Sequence, residues 1–261
     1  MNYFIVNAFA DNTDGGNPAA VCIVEKQLDD NLMQDIASEF GLPETAFIEK
    51  KNGVFSLRWF TPTVEVDLCG HATLAGAHIL WEQGFINPDL TINFDTLSGR
   101  LSVNIKNELY VMDFPREDAV EIEGPEVLKK GLGIVPVFTG KNRFDFIAEV
   151  ETEEIVRTLV PNLAQLKKLD SRGVIVTAAS NSNEYDFVSR FFAPNAGIPE
   201  DPVTGSAHCC LGPYWSNRLN KKKLTGYQAS ERGGFVYIEQ LEKRVLLGGK
   251  AVTFSSGKLI D

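Results

Sequence analysis

The stretch RWFTPTVEVDLCGHATLAGAHIL, residues 58–80, recurs in outline as RFFAPNAGIPEDPVTGSAHCCLGPY, residues 190–214. Both begin with Arg, an aromatic residue, Phe, a small residue and Pro, at an offset of 190 − 58 = 132 positions. The same ungapped offset lays Thr45-Ala46 on Thr177-Ala178 and Ala75 on Ala207. Each copy runs from its Pro through a loop into a run of small and apolar residues, 71–81 in the first and 204–215 in the second, with no clear polar face. A helix that is apolar on nearly all sides is a buried helix. The repeat therefore predicts two similar halves, each with strands wrapped around one central helix. Strand pairs over residues 90–94 and 100–112 put the boundary near residues 113–115, giving halves 1–113 and 114–261.

Working outward, residues 3–9 are rich in strand formers, DNTDGGNP (11–18) supplies turn residues, and AAVCIVE (19–25) makes a second strand. Asp29 or Asp30 starts a helix whose apolar positions Leu32, Met33, Ile36, Ala37 and Phe40 follow helical spacing, and Gly41 ends it. GLPETAFIEK (41–50) then reads as a strand, and Lys51-Asn52-Gly53 as a hairpin turn returning through residues 54–60. Glu44 sits in that strand among Leu42, Pro43, Ala46 and Phe47. A carboxylate in such a setting is costly unless it is paired, lies at a surface, or is there for chemistry. The offset lands on Val176, so the second half has no acidic counterpart.

Composition bounds the classes. A chain of 261 residues with 44% hydrophobic and 23% charged residues is a globular protein of one large or two modest domains. A net charge of −10 disfavours nucleic acid and anionic membrane as general partners. Lys221-Lys222-Lys223, the single basic cluster, reads as a solvated loop. No apolar run approaches a membrane span, and the start MNYFIVNAFADN lacks the basic character of a signal peptide, so the expected setting is cytoplasmic. Cys22, Cys69, Cys209 and Cys210 form no CxxC pair, which argues for reduced thiols and against a zinc knuckle. No glycine pattern for nucleotide binding is present.

The two helix entries are Cys69-Gly70-His71 and the run from Asp201 to Ser206. Related by a pseudo-twofold axis, they would converge on one cleft, each bringing unpaired backbone N–H groups and a positive dipole end suited to a small anion such as a substrate carboxylate. Gly70, Gly205 and Ser206 let those amides approach a ligand, or serve only close packing. Asn17 presents its amide to the cleft or closes its own turn. His71 relays a proton or serves structure. Asp201 caps the following helix or meets substrate. Cys69 is a thiol base or an inert buried thiol. Arg58 and Arg190 hold their strands by salt bridges or contact substrate. His78, His208, Cys209 and Cys210 read as packing residues.

GNPAAV at 16–21, ETAF at 44–47, RWFTPTVEVDLCGHATLAG at 58–76 and EDPVTGSAH at 200–208 resemble the PhzF-like family, named for a phenazine-biosynthesis isomerase. The motifs lie in the expected order across residues 16–208. The resemblance implies the α+β fold of diaminopimelate epimerase: two pseudo-symmetric domains, each a β-barrel-like sheet around a central buried helix, with the last strand free to return to the first half. It implies Glu44 as general acid/base and His71, Asp201 and Ser206 as site residues, acting without metal or organic cofactor on a small carboxylate-bearing substrate, in a homodimer. Related epimerases use a cysteine at each helix entry. Cys69 matches the first, whereas the ungapped offset puts Asp201 at the second. The expectation is an isomerase that moves a proton between carbons. The alternatives are a racemase or epimerase using Cys69 with Glu44 or Asp201, and a non-catalytic small-molecule or protein-binding module.

Overall fold

A computed structural model describes residues 1–26, 28–51 and 54–259. Asn52 and Gly53 of the expected hairpin turn lie outside the described residues. The chain contacts itself as two units, Met1–Asp113 with Gly248–Asp261, and Phe114–Leu247.

Unit 1 begins with β1 (Asn2–Ala8), β2 (Asn17–Val24), helix α1 (Asp30–Phe40), β3 (Glu44–Lys51), β4 (Val54–Phe60), β5 (Glu65–Val66) and helix α2 (Gly70–Glu82). It continues through β6 (Ile92–Thr96), β7 (Gly99–Lys106) and β8 (Leu109–Pro115), whose last residues pass into unit 2. Asp29 caps α1 by accepting the Asn31 N–H, and Gly41 ends it in the left-handed conformation. Met33 and Ala37 are the buried positions of α1, packed with Cys22, Val24, Phe47 and Phe60. Leu32, expected in that stripe, is exposed, because the buried face is narrower than the run of apolar residues. Gly16 precedes β2 at φ +73, where a Cβ would fall 2.3 Å from the Ala8 carbonyl oxygen, so the turn admits glycine alone.

Unit 2 contains β9 (Val120–Glu121), α3 (Glu126–Leu132), β10 (Phe138–Lys141), β11 (Asp145–Glu149), α4 (Glu153–Thr158), α5 (Leu163–Leu166), β12 (Gly173–Ala179) and β13 (Phe187–Ala193). A 3₁₀ turn leads to β14 (Ile198–Asp201), helix α6 (Gly205–Leu219), β15 (Lys223–Gln228), β16 (Gly234–Gln240) and β17 (Arg244–Gly249). The final strand, β18 (Ala251–Lys258), belongs to unit 1 and pairs antiparallel with β1.

The two units repeat one pairing scheme. β2 runs parallel to β3, β3 antiparallel to β4, and β4 parallel to β6. In the same order, β11 runs parallel to β12, β12 antiparallel to β13, and β13 parallel to β15. The helix that bridges β4 and β6 is α2, and the one that bridges β13 and β15 is α6. Both are buried along most of their length, as their lack of a polar face predicts. This is a mixed α and β architecture in which the strands of each unit are built around a buried helix.

The repeat is not ungapped. The helices begin at Gly70 and Gly205, 205 − 70 = 135 positions apart, although β4 and β13 keep the 132-residue offset through Arg58 and Arg190. Glu65 holds Arg58 through two bonds, and Glu200 holds Arg190 in the same way, so Glu65 corresponds to Glu200. Three extra residues therefore lie in the loop after Pro194. Cys69 corresponds to Thr204 and His71 to Ser206. The expected matches of Cys69 with Asp201 and of Ala75 with Ala207 are corrected accordingly. The two arginines are strand clamps: Arg58 also reaches Asp30 at the start of α1, and Arg190 donates to the carbonyls of Val156 and Leu159.

Candidate active site

In unit 1 the parallel register sets Glu44, the first residue of β3, beside Ala19 of β2. The preceding Gly41 and Pro43 end α1 and turn the chain into this strand. Glu44 Oε2 lies 3.1 Å from Nε2 of His71, with the two side chains 13% and 8% exposed. Neither atom has a hydrogen-bond partner of acceptable angle among the described residues. The two polar atoms are thus close, nearly dry, and aimed past each other.

His71 is the second residue of α2, and Cys69 is its N-cap. The Cys69 sulfur lies 3.5 Å from the other ring nitrogen, Nδ1. Burial alone would lower the imidazole, but the Cys69 and Glu44 side chains outweigh it and hold His71 well above its ordinary value. Burial, helped by the Glu44 charge, pushes the Cys69 thiol up. The main chain here is fixed by the Thr73 hydroxyl, which donates to the Cys69 carbonyl at 2.5 Å.

Helix starts differ in how they are closed. Side chains of Asp29, Thr152 and Asn162 cap α1, α4 and α5. Cys69 and Thr204 make no such bond at α2 and α6. Each of these buried helices therefore begins, at Gly70 and Gly205, with backbone donors that no cap side chain engages, the feature an anion would use. Asn17 is fully buried as the first residue of β2, paired in register with Ala8.

In unit 2, Asp201 ends β14, three residues before Thr204, the N-cap of α6. Its carboxylate accepts the Thr204 hydroxyl at 2.5 Å, while Gln228 accepts the Thr204 N–H and donates to the Asp201 carbonyl. Ser206, the second residue of α6, accepts a bond from Arg172 at 2.9 Å. Arg172 also grips Asp145 through two nitrogens and stacks its guanidinium near Phe144 and Phe191. Arg172, Asp145 and Gln228 were not singled out from the sequence, since none sits in a motif and all lie more than twenty residues from the start of α6. His208 and His78 are structural, as expected: His208 Nδ1 donates to the Thr204 carbonyl, and His78 joins Tyr110 to Thr253. Among the described residues no helix is long and apolar enough to cross a membrane.

Comparison with known proteins gives the chain its relatives. The sequence pattern of a family described as phenazine biosynthesis-like protein, PhzC-PhzF, matches residues 6–257. A protein of Halalkalibacterium halodurans named as an uncharacterized isomerase is 50% identical over 258 residues, spanning 98% of this chain and 97% of that one. A PhzF-family crystal structure from Enterococcus faecalis superposes with a TM-score of 0.95 at 45% identity, covering 99% of this chain and 98% of that one. A structure from Pseudomonas aeruginosa described as a predicted epimerase shares the fold at 21% identity and a TM-score of 0.75, covering 100% and 99% of the two chains.

Proposed function

The chain belongs to the phenazine biosynthesis-like, PhzC-PhzF, family, and on that premise we propose that it is a cofactor-independent isomerase that moves a proton between carbons of a small carboxylate-bearing substrate. The observation that carries the reading is the nearly dry Glu44 carboxylate beside His71 at an uncapped helix start. Glu44 takes a proton from a carbon made acidic by a neighbouring double bond or carbonyl. The C–H electron pair shifts into that unsaturation, and the now protonated Glu44 delivers its proton to another carbon of the same molecule. The net change is a moved hydrogen and a moved double bond, with no redox partner. His71, raised by its neighbours, stabilises negative charge next to Glu44 and holds the carboxyl in place.

The same reading gives Gly70, Gly205 and Ser206 the task of holding anionic oxygen through backbone amides, and Asn17 that of bonding substrate through its amide. Asp201 bonds a substrate amine or hydroxyl, or acts as a second acid/base. A homodimer in the cytoplasm, without nucleic-acid or membrane partner, completes the reading, and light scattering measures the dimer. Two-thiol racemisation has less support, because the Cys69 thiol is pushed up by burial and Thr204 stands where a second cysteine would. A binding module without chemistry is separated from both by turnover.

The test incubates the protein with small unsaturated or cyclic amino and carboxylic acids in heavy water, with NMR as the readout. Deuterium arriving at one carbon as a double bond moves supports isomerisation, whereas deuterium with inversion at a single centre supports an epimerase. Glu44→Gln is expected to slow exchange by about 10²–10⁴-fold. Unchanged exchange in that variant would remove Glu44 from the chemistry.

A further inference from the structure

Glu44, Cys69 and His71 bring a carboxylate, a thiol and an imidazole to one place, with one ligand atom from each lying within 4.8 Å of the others. These are the three donor types that thiophilic divalent cations of the zinc class take together. In a tetrahedral zinc site, bonds of about 2.0–2.3 Å set ligand atoms about 3.3–3.7 Å apart. Glu44 Oε2 and His71 Nε2, at 3.1 Å, stand slightly inside that spacing, and the Cys69 sulfur, 3.5 Å from Nδ1 of the same ring, is close enough to complete the set by a small side-chain adjustment. A cation takes only one imidazole nitrogen, and Nε2 is the suitable one: it and Glu44 Oε2 are buried, 3.1 Å apart, and neither makes a hydrogen bond. Two donors that approach without bonding leave their lone pairs available to a third body.

We infer that this cluster is also a zinc-class cation site, and that occupancy blocks the acid/base function of Glu44. Binding replaces the S–H bond of Cys69 by a sulfur–metal bond and releases that proton to solvent. The positive end of α2 opposes a cation, but it favours the Cys69 thiolate at the N-cap, and thiolate plus carboxylate match the two charges of the metal. The fourth position stays open to water or to a substrate oxygen. The cation takes no part in the proton transfer, so its binding is independent of the isomerase reading, while its inhibitory effect rests on that reading.

Cobalt(II) is the probe, since a cobalt–thiolate bond gives a near-ultraviolet charge-transfer band that carboxylates on an acidic surface cannot give. Full-length protein titrated with cobalt(II) is expected to develop the band at one equivalent and lose it to added zinc. Cys69→Ser is expected to abolish the band, and Cys209→Ser to keep it, with circular dichroism verifying the fold of both. A second measurement needs no variant: zinc should slow alkylation of Cys69 by N-ethylmaleimide at least about tenfold, read by peptide mass spectrometry. No band in the wild type, a band surviving Cys69→Ser, or unprotected alkylation would each overturn the site. Loss of exchange activity in Glu44→Gln speaks only to the isomerase, so the two proposals fail separately.

Discussion

Single residues here follow from their surroundings more than from their type. His208 and His71 are both buried histidines near a helix start, yet their charges go opposite ways. His71 has a carboxylate 3.1 Å away and is raised. His208 has a backbone carbonyl on one nitrogen and nothing on the other, and burial pulls it down to about 4 from 6.5. In the unfolded chain His208 takes up a proton near pH 6.5, whereas the folded one does so only near pH 4. Stability is therefore lost as the pH falls through that window, by an amount on the order of 3 kcal/mol at its lower end. His208→Asn, which keeps a donor for the Thr204 carbonyl, is expected to flatten this part of the acid profile in urea titrations at pH 7 and pH 4.5. For the proposed site, Asp201→Asn keeps the Thr204 bond while removing the charge, so its expected effect is on substrate turnover and not on the urea midpoint.

At the scale of elements, the paired arginine clamps show how one device carries different weight in two places. Arg190 is largely buried, grips Glu200 and satisfies two carbonyls in the α4 region, whereas one of the partners of Arg58 is the well-exposed Asp30. Arg190→Met is expected to cost about 3–5 kcal/mol, since it strands a half-buried carboxylate and two acceptors. Arg58→Met should cost less, and urea unfolding of the two variants measures the difference. Helix α6 shows a local rule broken and compensated. Pro213 inside it cannot donate to the Cys209 carbonyl, and that carbonyl accepts the Glu117 N–H instead. The elements around the site were largely legible in the sequence, because caps, glycines and apolar runs act over a few residues. The slip of three residues between Pro194 and α6 was not. Small residues fill both central helices, so Ala75 and Ala207 coincide without being equivalent, and only the bonded pairs Arg58–Glu65 and Arg190–Glu200 reveal the register. Motif residues such as Glu44 and His71 could be named from sequence. Their side-chain contact could not, nor could Arg172 at Ser206, since both depend on strand pairing across distant segments.

At the scale of the whole molecule, acidity and duplication set the general character, but the connectivity makes the sharper prediction. β18 covers β1, and Thr253 within it holds His78 of α2. Deleting residues 251–259 is expected to expose the amides of β1 and α2 to hydrogen exchange while those of β12 and β13 stay protected. Equal loss of protection in both units would mean that they fold as one body.

The interrupted layout of unit 1 also imposes an order in time. The segment Phe114–Leu247 leaves the ribosome before Gly248–Asp261. At about 5–20 residues per second, its 247 − 113 = 134 residues delay the closing strand by roughly 7–27 s. Through that interval Glu44, Cys69 and His71 are already synthesised on a sheet that lacks its final strand. The half bearing Glu44, Cys69 and His71 is translated first and matures last, so its apolar helix α2 waits through that interval for the strand that completes its unit.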